Sequence, residues 1–366
     1  MANLFSAISI KNTEIKNRVV MPPMVCFGMT KADGLVTEKN IEHYTARAKG
    51  GVGLIVVEAT CVNKEGRLSP TQLGLWEDSQ IEGFSELAAA CHRYGARVMV
   101  QIHSAGLMTA KGVTEDLVAP SEYSGKSRMG GDITARALTH AEMIKIEDQF
   151  AAAALRAKKA GLDGVELHGA HGYLISQFLS PVINKRKDLY GGKAENRARF
   201  AVEIIDKIRK ATGKDFIISC RIGCNEPGLE NGIENAKILE AAGLDLLHVS
   251  TGFEAPMSGP GPYPVPQDFK YNWVVYGGTQ IKKHVKIPVI VVNGIRTPEQ
   301  AGYLIENNLA DFAALGKGLL VNPDWANEAQ QKQKVATCID CKVCSYFRRG
   351  GAECAGKAAI AKAKAG

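Results

Sequence analysis

A chain of 366 residues, 45% hydrophobic and 23% charged, has the make-up of a globular protein with an ample core. It is longer than one average domain but ordinary for a single α/β barrel of about 250 residues with insertions. No apolar run is long enough to span a bilayer, and Met1–Lys16 carries no secretory pattern, so a cytoplasmic enzyme is expected. The net charge of +7 is unevenly spread: from Gln331 onward eight Lys and Arg face only Asp340 and Glu353, which leaves residues 1–330 at +1. A near-neutral body with no basic and aromatic interleaving argues against nucleic-acid binding.

Along the chain, short β-type apolar runs alternate with amphipathic helical patterns. The strands are predicted at Arg18–Met24, Gly53–Glu58, Arg97–Ile102, Gly164–His168, Phe216–Ile222, Leu244–Ser250, Pro288–Asn293 and Asp311–Leu315. Helical patterns include Glu82–Tyr94, Ala141–Ala160, Glu195–Thr212 and Pro298–Asn307, the last opened by Thr297 as N-cap and proline at the first position. Continuous hydrophobicity in the strands means that both faces are buried, as in a parallel sheet. Eight such units predict a (β/α)8 TIM barrel over residues 1–330, followed by a short cysteine-rich extension at 331–366. No GxGxxG follows the first strand, which disfavours an open dinucleotide-binding sheet. Two connections, Ala105–Thr139 and Gly252–Gly278, are too long for plain turns and are expected as loops that shape a cavity.

In such a barrel, chemistry sits where strands end. The ends read Pro23-Met24, Glu58-Ala59, Gln101 with His103, His168 with His171 and Tyr173, Arg221, Ser250, Asn293-Gly294 and Gly316-Lys317. Within Glu166–Tyr173, two imidazoles and a phenol arrive between small residues, the parts needed to polarise a carbonyl and protonate its neighbour. Gln101 and Arg221 suit a ligand with alternating donors and acceptors, such as the N1–C2=O–N3 edge of a flavin. The glycine turns at Asn293-Gly294 and Gly316-Lys317 let backbone N–H groups approach a phosphate, with helix N-termini and a lysine adding positive potential.

Of the nine cysteines, Cys26, Cys61, Cys91, Cys220 and Cys224 lie in apolar contexts and are expected as buried free thiols. The other four form Cys338-Ile-Asp-Cys341-Lys-Val-Cys344, with nine residues between Cys344 and Cys354. Two consecutive CxxC spacings and a fourth thiol are a metal-ligand signature that suits an iron–sulfur cluster or tetrahedral zinc.

Taken together, Asn17–Met24, Gly53–Ala59, Gln101, Gly164–Leu174, Gln177–Pro181, Asn184–Arg186, Asp188–Gly192, Glu195–Arg197 and the late glycine turns resemble the Old Yellow Enzyme family of FMN-dependent ene-reductases. The resemblance implies non-covalent FMN, with Pro23, Met24 and Ala59 against the ring and Gln101 and Arg221 on its pyrimidine edge. Asn293, Gly294, Gly316 and Lys317 would hold the phosphate. His168 and His171 would bind the carbonyl oxygen of an enone, enoate or enoyl thioester while hydride passes from flavin N5 to the β-carbon. Tyr173 would deliver the proton to the α-carbon. The cysteine spacing resembles the subgroup that includes 2,4-dienoyl-CoA reductase and trimethylamine dehydrogenase, which implies a 4Fe–4S cluster, with zinc as the alternative.

The match has departures. Val25 stands where many relatives carry a Thr or Cys that tunes the flavin, which implies a different redox potential, and the covalent-flavin cysteine of trimethylamine dehydrogenase would also fall there, which argues against a covalent link. Ile102–Leu107 replaces a common pattern of His, Gly and Arg. Lys317 replaces a phosphate arginine. The segment after Ser250 lacks the histidine of bacterial dienoyl-CoA reductases, which puts a dienoyl thioester in doubt. The sequence offers no dinucleotide-binding domain after the tail. The expected electron donors are therefore NAD(P)H docking at the flavin or an acidic ferredoxin or flavodoxin drawn by the basic tail. A second copy of the chain is a further candidate partner, and an amine-dehydrogenase-like or electron-transfer subunit is the alternative function.

Overall fold

The computed structural model describes residues 2–26, 28–126, 131–252, 263–342, 344, 346, 354–358 and 360. Eight parallel strands close into a barrel. They are β1 (Val19–Met21), β2 (Leu54–Cys61), β3 (Arg97–His103), β4 (Gly164–Gly169), β5 (Ile217–Gly223), β6 (Leu246–Ser250), β7 (Val289–Val292) and β8 (Phe312–Ala314). Each pairs with its sequence neighbours, and β8 closes on β1 through Ala313↔Val19 and Ala314↔Val20. All eight fall within or overlap the predicted runs, and the barrel is the expected (β/α)8 fold.

Local chemistry sets the limits of these strands. β1 stops at Met21 because Pro22 and Pro23 have no N–H to continue a ladder. β2 runs three residues past its predicted end at Glu58, through a register shift between Val57 and Thr60. A bulge of this kind re-aims side chains at a barrel rim. At Gly164 an added Cβ would lie 2.5 Å from the carbonyl oxygen of Ile217, so only glycine lets β4 and β5 approach so closely. The predicted helices form at Ile81–His92, His140–Lys159, Ala194–Thr212 and Pro298–Glu306. Thr139 and Thr297 cap the second and the last, each accepting the backbone N–H three residues on.

The barrel interior is layered. Val20, Leu54, Val56, Met99, Ile217, Leu246, Ile290 and Phe312 pack inside it with Ile10 and Ile15. Those last two come from an antiparallel hairpin, Ile8–Ile10 with Thr13–Ile15. The hairpin contacts the residues nearest the strand starts and closes that end, which leaves the C-terminal end as the mouth. Its three-residue strands are too short to show a period in the sequence.

Two expected loops contain more structure than predicted. Ala105–Thr139 holds a three-stranded sheet, Val118–Ala119, Tyr123–Lys126 and Asp132–Ala137, over a small core of Leu107, Ala119, Ala135 and Ile183. Its glycine, serine and charge content hid strands that have one solvated face. The Gly252–Gly278 connection ends early, because Asn272 caps a helix at Trp273–Lys282 by accepting from the N–H groups of Val274 and Val275. Pro256, Pro260 and Pro262 lie outside the described residues. Cys26, Cys61, Cys91, Cys220 and Cys224 are buried and free, as expected. No described helix is long and apolar enough to cross a membrane.

Candidate active site

Alternation along the strands carries polar side chains up from the apolar layer. On β3, Met99 lies in the interior core, so Gln101 and His103 share its inward face; on β6, Leu246 is followed inward by His248 and Ser250. By the same parity Arg221 follows Ile217 on β5, and on β4 Glu166 and His168 stand beside Gln101 and Arg221 in the ladder. All seven of these side chains are buried. β7, β8 and β1 contribute only apolar side chains to the inner face, Ile290 and Val292, Phe312 and Ala314, and Val20. The mouth is therefore polar on the β3–β6 side and apolar on the other.

The turn after β4 brings the predicted trio together. His171 sits at φ 59° and Gly172 at φ 78°, two consecutive left-handed residues that reverse the chain tightly. The His171 N–H is tied to the carbonyl of Thr251 at the end of β6. His168 Nε2 lies 3.3 Å from His171 Nδ1, and His171 Nε2 lies 2.8 Å from Ser250 Oγ, which accepts from Arg221 Nη2 at 3.1 Å. The rings of His168 and Tyr173 are 4.4 Å apart, and His103 meets Tyr173 edge-on at 5.0 Å.

Donor states follow from these partners. Gln72 Nε2 donates to the carbonyl of Ala59 and sits 2.6 Å from His103 Nε2. An amide nitrogen only donates, so His103 Nε2 accepts and the ring proton is on Nδ1. Burial pushes the His103 imidazole down to about 3, so the ring is neutral. Burial, then the neighbouring His171 and Arg221, holds His168 well below the ordinary imidazole range. His103 Nδ1, His168 Nδ1 and Arg221 Nε are buried without a partner among the described residues. Burial lowers Arg221 to about 10, against the attraction of Glu166 and Tyr173, and it stays charged.

On the apolar side, Pro23 and Ala59 are buried and Met24 is half-buried. A Cβ added to Gly316 would lie 3.3 Å from Met24 Sδ, so the turns after β1 and β8 are neighbours. Asn293, at φ 98°, and Gly294, at φ 74°, form the turn after β7. Lys317 is half-exposed and pairs with Asp340 at 3.0 Å, and the same carboxylate receives Arg296 at 2.7 Å. Beside this turn, Glu58 accepts from the N–H of Cys26 at 2.9 Å and from the hydroxyl of Tyr44 at 3.2 Å.

Cys338, Cys341, Cys344 and Cys354 line one cavity with Lys317, Leu320 and Tyr346. No three His, Cys, Asp or Glu side chains among the described residues are grouped as metal ligands, so the structure does not bear out an assembled four-thiolate centre. The donor chemistry still fits a thiophilic metal group, since four thiols line the same cavity. Tyr346 anchors this segment to the barrel: it is buried with Cys26 and Leu320 against Cys344 and Cys354. Its hydroxyl lies 2.9 Å from His43 Nδ1, which also meets Arg47 Nη1 at 3.1 Å. Arg348 and Arg349 of the basic tail lie outside the described residues.

Residues 3–335 match the pattern of the NADH:flavin oxidoreductase / NADH oxidase family. The chain belongs to this family. It is 45% identical over 351 residues to an NADH oxidase of Thermoanaerobacter brockii, covering 93% of this chain and 53% of that protein. The structure resembles a 2-naphthoyl-CoA reductase in complex with 2-naphthoyl-CoA, with a TM-score of 0.84 at 28% identity, covering 93% of this chain and 54% of that one. It also resembles an Old Yellow Enzyme homologue of Zymomonas mobilis, with a TM-score of 0.79 at 29% identity and coverage of 92% and 95%. The chain thus spans about half the length of the first two. The family is one of NADH:flavin oxidoreductases, and FMN is the cofactor expected in it. The mouth fits such a group, because a ring with a polar edge finds unpartnered buried donors on one side and apolar main chain on the other.

Several features of this family member escaped the sequence reading. His103 was noted at a strand end without a role, and its contact with Tyr173 needs the fold to be seen. The pairings of Asp340 with Lys317 and of Tyr346 with His43 join residues 23 and 303 positions apart, which no local spacing announces. Glu58 is the most readily tested of these features. Burial pushes its carboxyl up from 4.5 to about 7, against the two donors that favour the ionised form. A raised folded-state value contributes stability in full below pH 4.5, and that contribution is lost as pH rises through 7. Relative to Glu58→Gln, wild type should therefore lose about 3 kcal/mol between pH 4.5 and 8, measured by urea unfolding of both proteins. A difference that does not change with pH would remove Glu58 from the titrating groups.

Proposed function

We propose that residues 1–330 form an FMN-dependent ene-reductase barrel that saturates a C=C bond conjugated to a carbonyl, with residues 331–366 as an accessory cysteine-bearing extension. The observation that carries this reading is Tyr173 packed on His168 and His103, two neutral rings each with a buried Nδ1 that meets no partner among the described residues. Pro23, Met24 and Ala59 would line the flavin ring, Gln101 and Arg221 its pyrimidine edge, and Asn293, Gly294, Gly316 and Lys317 its phosphate. Bound FMN supplies the hydride that reaches the β-carbon.

The protein's part is electrostatic and protonic. As negative charge grows on the substrate oxygen, His168 and His171 donate to it, which for His171 means exchanging its Nδ1 contact with His168 for one with the substrate. Arg221, through Ser250, keeps the His171 ring in place. Tyr173 delivers the proton to the α-carbon; a phenol ordinarily remains protonated at neutral pH and is acidic enough to yield when a carbanion forms. The bound thioester in the 2-naphthoyl-CoA reductase complex favours including enoyl thioesters beside enones and enoates. Tyr173→Phe should slow reoxidation of the reduced protein by cyclohexenone about 100-fold or more while flavin reduction by NADPH is unchanged, both read by anaerobic stopped flow. Equal slowing of the two half-reactions would refute the assignment.

For the extension, we propose that Cys338, Cys341, Cys344 and Cys354 hold a 4Fe–4S cluster, with zinc as the alternative occupant. Four thiols lining one cavity, two of them (Cys344 and Cys354) packed near Met24 and Cys26 of the β1 turn, support a redox group near the flavin mouth. The visible spectrum of anaerobically purified protein should show flavin bands and a broad shoulder that dithionite bleaches. Flavin alone with stoichiometric zinc would replace the cluster by a structural metal.

Either NADH or NADPH is the proposed donor, and the +6 of residues 331–366 favours an acidic ferredoxin or flavodoxin as a second. Reduction by reduced ferredoxin should slow several-fold between about 50 and 300 mM salt. A slow, salt-independent rate would exclude docking on this tail.

A further inference from the structure

We propose that Glu166 is a positioning residue that fixes the Gln101 amide, so that Gln101 turns its carbonyl oxygen, and Arg221 its N–H groups, toward the polar edge of the bound flavin. This rests on reading the barrel mouth as the FMN site.

Gln101 and Glu166 are register partners on β3 and β4, and His248 reaches Glu166 from β6. Gln101 is 1% exposed; Glu166 and His248 are fully buried. Gln101 Nε2 donates to Glu166 Oε1 at 2.8 Å, and His248 Nδ1 donates to Oε2 at 2.9 Å. An ionised carboxylate has no proton to give, so each neighbour must offer it a donor. The two ends of a glutamine amide have nearly the same shape, and only partners decide which faces where. With its nitrogen committed to Glu166, the Gln101 oxygen lies on the opposite side of the planar group. The same logic puts the His248 proton on Nδ1 and leaves Nε2, which has no partner among the described residues, as an acceptor.

Charge reinforces this geometry. Arg221 is a buried guanidinium whose Nε meets no protein group, and Glu166 is the carboxylate that favours its charged form. Buried like this, a cation without a counter-charge is strongly destabilising. One carboxylate thus balances the cation and fixes the acceptor beside it. The mouth then offers one acceptor and one set of donors, a pattern matched by the N3–H and the C2=O of an isoalloxazine edge. A neutral amide at position 166 could donate as well as accept, so the Gln101 amide would be free to turn either way.

The test is a double-mutant cycle on FMN binding to apo-protein, read by quenching of flavin fluorescence. Gln101→Ala and Glu166→Gln should each raise the Kd about tenfold, and the double variant should be no weaker than either. Glu166→Gln should also raise the midpoint potential of the bound flavin, because a negative charge beneath the ring edge is gone. Glu166→Asp, which keeps the charge on a shorter arm, should show little of that shift. If Glu166→Gln weakens binding by the same factor with and without Gln101→Ala, Glu166 does not act through Gln101 and the proposal falls. If Gln101→Ala leaves the Kd unchanged, the flavin-edge reading of the mouth fails first. Should Glu166→Gln not fold, the same cycle with Glu166→Asp decides, additivity overturning the proposal and non-additivity supporting it.

Discussion

A buried polar group must find a partner inside the protein, and this constraint governs the upper half of the barrel. Eight polar side chains, Ser219 among them, stand largely buried on the inner faces of four consecutive strands. Each unpaired atom there costs about 1–3 kcal/mol, so the set is stable only as a network. Glu166 is its centre, taking Gln101 and His248 at once, while Ser250 joins Arg221 to His171. The few nitrogens without a partner among the described residues, on His103, His168, Arg221 and His248, are the natural handles for a ligand. A binding site of this kind is the unsatisfied remainder of an otherwise satisfied core.

The scaffold makes that remainder accessible from one direction only. The N-terminal hairpin fills the barrel from below with Ile10 and Ile15, and the aliphatic layer above it is dry. Two left-handed residues after β4 then fold Tyr173 back over His168. Positive φ at a non-glycine residue such as His171 carries strain, and the tie to Thr251 across β6 holds it.

What the sequence disclosed was whatever local pattern encodes. Continuous apolar runs marked all eight strands, and Thr297-Pro298 marked a helix start, because burial and capping leave their trace within a few positions. The histidine–tyrosine stretch was conspicuous for the same reason. The hairpin was missed because three-residue strands show no period, and the small sheet in Ala105–Thr139 because its solvated strands read as loop. Role assignments that depend on distant contacts were out of reach: the proton position on His103 follows from Gln72, 31 residues away, and the seat of Tyr346 from His43. Cysteine spacing predicted a four-thiolate metal site, whereas the structure puts the four thiols around one cavity without grouping three of them as ligands among the described residues.

The division of the mouth into unlike halves has a consequence for how such a protein can change. Groups proposed to meet the substrate come from β3 to β6, whereas the cysteine segment is seated on the β1 turn, the helix at Glu38–Lys49 and the helix at Gly316–Val321. No strand serves both. Substitutions on the β3–β6 side can therefore accumulate without disturbing the seat of the tail, and the tail can change without reshaping that side. The barrel behaves as two independently tunable devices that share a wall.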